Sequence, residues 1–162
     1  MKLDPLAFVA NPELVAALNA HSIEVSRGGG YSLFRQGDPP VGLFIVNNGE
    51  VTLSMTSPTG ELLLSMQVGA GSLLGLPGLI GNEPYTLSAV ACNGARLTYV
   101  THEDFNALMQ SDPGLALKVL EVLAAEVRSA RHAAQDIRPF ALSAHRSHET
   151  KTSTFGPEAK TN

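Results

Sequence analysis

Between Ile23 and Val100 the sequence alternates short apolar runs with turn-forming residues, and this alternation restricts the fold more than any other feature. The runs are rich in β-branched residues, and glycine, asparagine and proline separate them. The whole chain contains 15 glycines and 10 prolines, which suits many turns. Such punctuation is typical of β-rich folds. We predict strands at residues 22–27, 31–35, 42–47, 50–56, 61–68, 73–74, 86–92 and 95–100.

Three short segments between these runs predict tight turns. Asn47-Asn48-Gly49 lies between two apolar runs and is a hairpin signal, because primed turns need positive φ angles. Ser57-Pro58-Thr59-Gly60 and Asn93-Gly94 predict further turns. Short strands separated in this way predict a mainly β jelly-roll or a small barrel.

Helical patterns flank the predicted strands. Residues 4–20 are predicted to form one helix, with Asn11 and Pro12 as a plausible cap and first turn. After Val100 the apolar period changes to 3.6, which predicts a short helix over 102–110 and a long helix over 113–137. One apolar stripe follows the long helix at a spacing of three to four residues, through Leu115, Val119, Val122, Leu123, Val127, Ala130, Ala134 and Ile137.

The domain is therefore expected to span residues 1–138, and residues 139–162 are expected to form a disordered tail. The tail is rich in serine, threonine, histidine and lysine and has few apolar residues. On the long helix, Glu126 and Asp136 alternate with Arg128, Arg131 and Arg138, which predicts a solvated face rather than a nucleic-acid patch.

Composition excludes several classes of function. The net charge of −4 argues against a basic nucleic-acid-binding domain. A single cysteine, Cys92, permits neither an intrachain disulfide nor a multi-cysteine zinc site. No stretch approaches the roughly 20 apolar residues of a membrane span, and the N-terminus does not form a secretion signal. We expect a soluble, cytoplasmic protein that does not enter a membrane.

The sequence offers no catalytic motif. A metal enzyme built on a small β-barrel needs histidines and a carboxylate that face into the barrel. None of the histidines lies in a predicted strand, and phosphate-loop and nucleophile-elbow motifs are absent. We therefore expect no catalytic residue, no metal site and no enzymatic activity. The histidines are His21, His102, His132, His145 and His148.

Three segments, in the right order, resemble the cyclic-nucleotide-binding domain. Leu33–Asp38 resembles the strand and turn that open the domain, and Leu43–Val51 resembles its central hairpin. Gly71–Gly75 resembles the glycine framework that leads into its phosphate cassette. The family's layout is an N-terminal helix, an eight-stranded jelly-roll, a short helix and a long C-terminal helix. The resemblance covers about residues 4–137 and implies this fold.

Within that family, the long helix resembles the dimer helix of the catabolite-activator/FNR regulators. The resemblance implies a homodimer formed through this helix, although the same stripe can instead pack on the β-roll as core. Those regulators continue into a helix-turn-helix domain, for which residues 139–162 are too few and too polar, so we expect no direct contact with nucleic acid. The implied dimer residues are Val119, Leu123, Val127, Ala130, Ala134 and Ile137.

The segment 75–88, here called the cassette, departs from the family pattern. In members that bind nucleotides, a Glu follows the glycine and takes the ribose, and an Arg before a Ser or Thr neutralises the phosphate, which the helix N-terminus also holds. Here Leu76 stands at the Glu position, Tyr85 at the Arg position, and Thr86 keeps the hydroxyl. We expect no ordinary binding of cyclic AMP or GMP, and no cofactor. The candidate pocket residues are Gly75, Leu76, Pro77, Gly78, Leu79, Tyr85 and Thr86.

Three functions remain open from the sequence. The first, which we favour, is a non-enzymatic regulatory module that senses a ligand, such as a small anion, or a protein partner, and signals through the long helix. The second is a structural or interaction protein whose pocket is filled by Leu76 and Tyr85 and whose long helix meets a protein partner. The third is a truncated transcription regulator that acts with a separate DNA-binding chain.

Overall fold

The structure is a computed structural model that describes residues 1–25 and 29–136. A 3₁₀-helix over Pro5–Phe8 and helix α1 over Pro12–Asn19 come first. Helix α2, over Leu76–Gly81, lies between two strands, and α3, over His102–Ser111, and α4, over Pro113–Gln135, follow the last strand. The strands are β1 Ile23–Val25, β2 Tyr31–Phe34, β3 Gly42–Asn48, β4 Val51–Thr56, β5 Leu62–Val68, β6 Leu73–Leu74, β7 Ser88–Ala91 and β8 Arg96–Thr101.

The strands form two antiparallel sheets of four strands each. One sheet has the order β1-β8-β3-β6 and the other has the order β2-β7-β4-β5. Each sheet therefore mixes strands from both halves of the chain, as a jelly-roll does. The predicted mainly β fold with flanking helices is confirmed. The ends of most strands differ from the prediction by one or two residues, and the predicted end of β1 lies outside the described residues.

The prediction of one helix over residues 4–20 is wrong. The chain forms the 3₁₀-helix and α1 instead, with an extended break between them. In this break the Ala10 N–H donates to the Gly71 carbonyl oxygen at 2.9 Å, a bond to a distant part of the chain. The side chain of Asn11 then caps α1 by accepting from the Glu13 N–H at 2.8 Å. A tertiary hydrogen bond thus divides a segment whose local pattern is helical.

The two sheets and the helices enclose two apolar clusters. The first cluster lies between the sheets and includes Phe34, Phe44 and Tyr85. The second cluster lies between the sheet of β3 and helices α1, α3 and α4. Helix α2 contributes Leu76 and Leu79 to the second cluster.

Side-chain caps fix the start of the last two helices. The Thr101 hydroxyl accepts from the Asp104 N–H at 3.1 Å and caps α3. The Asp112 carboxylate accepts from the Gly114 and Leu115 N–H groups at 3.0 and 3.3 Å and caps α4. Helix α4 is described as far as Gln135, so the last part of the predicted helix 113–137, and the predicted tail 139–162, lie outside the described residues.

Candidate functional site

The cassette forms a tight turn and a short helix. Gly75 has a φ of +92° and precedes α2, in which Pro77 occupies the first turn. Asn82 follows α2 with a φ of +51°, and the Glu83 N–H donates to the Gly78 carbonyl oxygen at 3.0 Å. This geometry folds the chain back so that Tyr85 returns to the start of the cassette.

Tyr85 is buried and its hydroxyl is fully occupied by backbone groups. The hydroxyl donates to the Gly42 carbonyl oxygen at 2.8 Å. It accepts from the N–H groups of Val41 and Gly42 at 3.0 and 3.2 Å. The ring stacks on Phe34, with 4.1 Å between ring centroids and an interplanar angle of 26°. Since a tyrosine hydroxyl has one proton and two lone pairs, no hydrogen-bonding capacity remains for a ligand.

Two glycines of the cassette make room for the Tyr85 ring. A Cβ atom on Gly75 would lie 2.8 Å from a ring carbon of Tyr85. A Cβ atom on Gly78 would lie 2.9 Å from the Glu83 carbonyl oxygen and 3.3 Å from the same ring. Both glycines therefore lie against the ring of Tyr85.

A cavity of about 30 Å³ remains beside Tyr85. This volume is roughly the share of one water molecule in the liquid, whereas pockets for small ligands measure about 300–1,000 Å³. The cavity in this arrangement is therefore about a tenth of the smallest such pockets. The cavity is lined by Phe8, Phe34, Leu53, Leu74, Gly75, Pro77, Gly78, Tyr85, Thr86, Leu87 and Glu126.

The predicted pocket residues separate into two groups. Gly75, Pro77, Gly78, Tyr85 and Thr86 line the cavity, so the structure brings them together. The other two, Leu76 and Leu79, are fully buried in the second apolar cluster. The structure thus separates the two residues that we expected to fill the pocket: Tyr85 lines the cavity, and Leu76 packs in the second cluster.

An apolar groove of about 260 Å³ adjoins the cavity on the side of α4. The groove and the cavity share the lining residues Phe8, Pro77, Thr86, Leu87 and Glu126. The remaining walls of the groove come from Met1, Leu3, Met55, Val127, Ser129 and Ala130.

Glu126 is the site residue that the sequence reasoning missed. We predicted it on a solvated face, but its side chain lines the cavity, and its Oε1 atom is buried without a hydrogen-bond partner among the described residues. Burial raises the pKa of the Glu126 carboxyl from 4.5 to about 8. The signal was its spacing: Glu126 follows the buried Val119 and Val122 by seven and four residues, which places it on the same helix face.

Helix α4 has two faces instead of the single stripe that we predicted. The inward face packs on the roll and the N-terminal segment, where the Ser129 hydroxyl accepts from the Asp4 N–H at 2.7 Å. The inward face carries Leu115, Val119, Val122, Glu126, Ser129 and Ala133. The outward face carries Leu117, Leu120, Ala124, Val127, Arg131 and Ala134, all exposed.

The predicted dimer residues fall on both faces and between them. Val127, Ala130 and Ala134 are exposed. Val119 is only 1% exposed and packs in the second cluster, and Leu123 is half-buried against it. The core reading therefore holds for the first turns of the helix, because they lie over the roll. Ile137 lies outside the described residues.

The described residues form neither a metal-ligand cluster nor a membrane-spanning helix. Across residues 1–25 and 29–136, no three histidine, cysteine, aspartate or glutamate side chains lie close enough to hold a metal ion. No helix in that part of the chain is long and apolar enough to cross a membrane.

A comparison of the sequence with protein families matches residues 25–112 to the family model of the cyclic nucleotide-binding domain. The CRP-like cAMP-activated global transcriptional regulator of Mycobacterium tuberculosis is 24% identical over 126 residues, which cover 78% of this chain and 56% of the regulator. The chain thus spans about half the length of this relative.

Solved structures agree with the sequence match. The catabolite activator protein of Thermus thermophilus superposes with a TM-score of 0.67 at 28% identity, covering 86% of this chain and 63% of that one. The N-terminal domain of a transcriptional regulator from Streptomyces coelicolor A3(2) superposes with a TM-score of 0.58 at 31% identity, covering 80% and 93%. The family model matches more than half of the chain, and the jelly-roll between flanking helices agrees with that match. The chain therefore belongs to the cyclic nucleotide-binding domain family, and it is similar to regulators of the CRP type.

Proposed function

We propose that the chain is a non-enzymatic, cytoplasmic regulatory module whose cassette no longer binds cyclic nucleotides and whose signal passes through α4. One observation carries the proposal: Tyr85 stands at the Arg position, and its hydroxyl is committed to Val41 and Gly42. Loss of one partner of a buried charged pair costs about 2–5 kcal/mol. At about 1.4 kcal/mol per tenfold change in affinity, a micromolar nucleotide would bind roughly 30-fold to several-thousand-fold more weakly.

The lining also disfavours a small anionic ligand. Glu126 contributes a carboxyl to the cavity and the groove, and no lysine, arginine or histidine lines either of them in the described chain. An anion that entered this apolar setting would lose its hydration without gaining a compensating cation.

Thermal melting of the full chain with about 1 mM cyclic AMP, cyclic GMP or cyclic dinucleotides tests the proposal. A ligand with a Kd of about 10 μM would add about 2.7 kcal/mol, a shift of several degrees for a domain of this size. We expect melting curves that match the buffer control. A clear shift with any of these nucleotides would show that backbone contacts suffice and that the cassette is competent.

The outward face of α4 supports a homodimer. Leu117, Ala124 and Arg131 recur every seven residues, as do Leu120, Val127 and Ala134, which together give the spacing of a coiled-coil seam. Leu117, Leu120 and Val127 are 64%, 53% and 46% exposed in the single chain. An apolar stripe of this kind on a soluble domain is suited to bury itself against a second copy.

We expect Leu120→Glu to convert the dimer to a monomer, because it places charges at the centre of the seam. Leu62→Glu is the matched control, since Leu62 on strand β5 is 61% exposed and far from α4 in the sequence. Light scattering coupled to size-exclusion chromatography gives the mass of each variant. A wild-type chain that is monomeric at high concentration, or a Leu120→Glu variant that stays dimeric, would contradict dimerisation through this face.

A further inference from the structure

The groove between the cassette and α4 contains one strong hydrogen-bond acceptor that the protein does not satisfy. Glu126 Oε1 is buried and has no partner among the described residues. Its neighbours on the inward face of α4, such as Val122 and Ala133, are apolar, and an apolar residue would fit this environment without leaving an unpaired atom. An acceptor in such a position matches a donor that arrives with a ligand.

No surrounding group among the described residues donates to this oxygen. The Tyr85 hydroxyl donates to the Gly42 carbonyl oxygen instead, and the Ser129 hydroxyl is found only as an acceptor, from the Asp4 N–H. Met1 also lines the groove, but its α-amino group forms no ion pair with Glu126. The nearby charged side chains border a separate cleft between the N-terminal segment and α4, namely Lys2, Asp4, Arg128, His132 and Asp136.

The rest of the groove is an apolar surface with nearly the volume of a small-molecule pocket. Its volume of about 260 Å³ is close to the lower end of small-molecule pockets, which begin at roughly 300 Å³. Met55, Leu87 and Val127 provide walls that suit an aromatic or alkyl body. The complementary ligand is therefore apolar along most of its surface and carries a positive charge at one end.

We propose that this groove binds a small amphiphilic amine, whose apolar body lies between Leu87 and α4 and whose ammonium group donates to the carboxylate of Glu126. This inference rests on the proposed function, in which the cassette no longer accepts cyclic nucleotides. It assigns to the same region a ligand of opposite charge.

Binding of such an amine is coupled to release of a proton. Burial raises the pKa of Glu126 to about 8, so the empty site is mostly protonated at neutral pH. An ammonium group beside the carboxyl favours the ionised form, while the amine itself stays protonated up to a pH of about 10. The apparent affinity should therefore rise about tenfold per pH unit below 8 and level off above it. The other titratable groups that face the site are the Tyr85 hydroxyl and the Met1 α-amino group.

The experiment compares 2-phenylethylamine with two isosteres, 2-phenylethanol and phenylacetate, on the full-length chain. Saturation-transfer NMR detects binding, and a titration followed by amide chemical shifts gives the affinity. We expect the amine to bind at least tenfold more tightly than either isostere, and about tenfold more tightly at pH 7.5 than at pH 6.5. Equal affinities for the three compounds, or an amine affinity that does not change with pH, would overturn the proposal.

Glu126→Gln removes the charge and keeps the shape of the side chain. Glu121→Gln is the matched control, because Glu121 is exposed on the same helix. We expect the first variant to lose at least tenfold in amine affinity and the second to bind as the wild type does. Amine binding that survives Glu126→Gln would refute the inference. Amine binding that appears only in the monomeric Leu120→Glu variant would also refute it, because it would show that a second copy covers the groove.

The two proposals fail separately. If cyclic nucleotides raise the melting temperature, the proposed function fails whatever the amines do. If the nucleotides have no effect and 2-phenylethylamine does not bind, only the inference about the groove fails.

Discussion

Removal of the Tyr85 hydroxyl tests whether this residue anchors the cassette to β3. Tyr85→Phe keeps the ring on Phe34 but deletes one donated and two accepted hydrogen bonds. Val41 is 57% exposed, so water can replace the partner of its N–H, whereas Gly42 is buried and loses its partners without replacement. A buried polar group left unpaired costs about 1–3 kcal/mol. We therefore expect a loss of about 2–4 kcal/mol in the free energy of unfolding.

Urea titration followed by circular dichroism measures this loss, and thermal melting should show a decrease of about 4–16 °C. Tyr99→Phe is the matched control, because the Tyr99 hydroxyl makes a single bond, to the Val41 carbonyl oxygen at 2.7 Å, in a more exposed position. Burial, and to a smaller extent Tyr85, raises the pKa of Tyr99, so its hydroxyl stays protonated during the assay. If the two variants lose the same small amount, under about 1 kcal/mol, the anchoring role of Tyr85 is refuted.

Two further substitutions test the site through stability. The pKa of Glu126 is raised from 4.5 to about 8, so its contribution is most favourable below pH 4.5 and is lost as the pH rises through 8. Chemical denaturation should therefore show Glu126→Gln to be more stable than the wild type at pH 7.5, by about 4 kcal/mol, with a difference that shrinks toward pH 5. A difference that is constant with pH would contradict the buried carboxyl. Gly75→Ala should destabilise by at least about 2 kcal/mol, because it combines a φ of +92° with a Cβ contact of 2.8 Å to the Tyr85 ring. Gly60→Ala, with a φ of +85° and open space around its Cβ, should lose only about 1 kcal/mol, and equal losses would argue against close packing at Gly75.

The strands were predictable because the residues in the turns between them mark where each strand ends. Gly49, Gly60 and Gly94 have φ angles between +79° and +85°, and each falls in a turn that the sequence indicated. A positive φ strongly favours glycine, so the residue type reports the turn without knowledge of the rest of the fold. The N-terminal helix was not predictable in the same way, since the bond from Ala10 to Gly71 depends on a distant segment.

The candidate site was predictable only as a region. Leu76 and Tyr85 both replace family residues, and the sequence gives no reason to separate them. The structure places them in different apolar clusters, because Leu76 is the first residue of α2 and points under the helices. Glu126 escaped prediction for a related reason. The helical period shows which residues share a face of α4 with Glu126. Only the packing of α4 on the roll shows that this face is buried.

The position of Glu126 explains how one helix can connect a ligand with a partner chain in the proposed mechanism. Glu126 and Val127 are consecutive, so the helix turns by about 100° between a residue that faces the cavity and one that faces outward. A movement of α4 that changes the setting of Glu126 must therefore also move the outward face. The burial of this carboxyl costs about 3 kcal/mol near neutral pH, which is at the upper end of typical coupling free energies between sites, about 1–3 kcal/mol. A ligand can shift such an equilibrium only by its difference in affinity for the two arrangements. A cation that pairs with Glu126 in one arrangement would supply that difference, whereas an apolar ligand with no donor would bind the groove and leave α4 where it is.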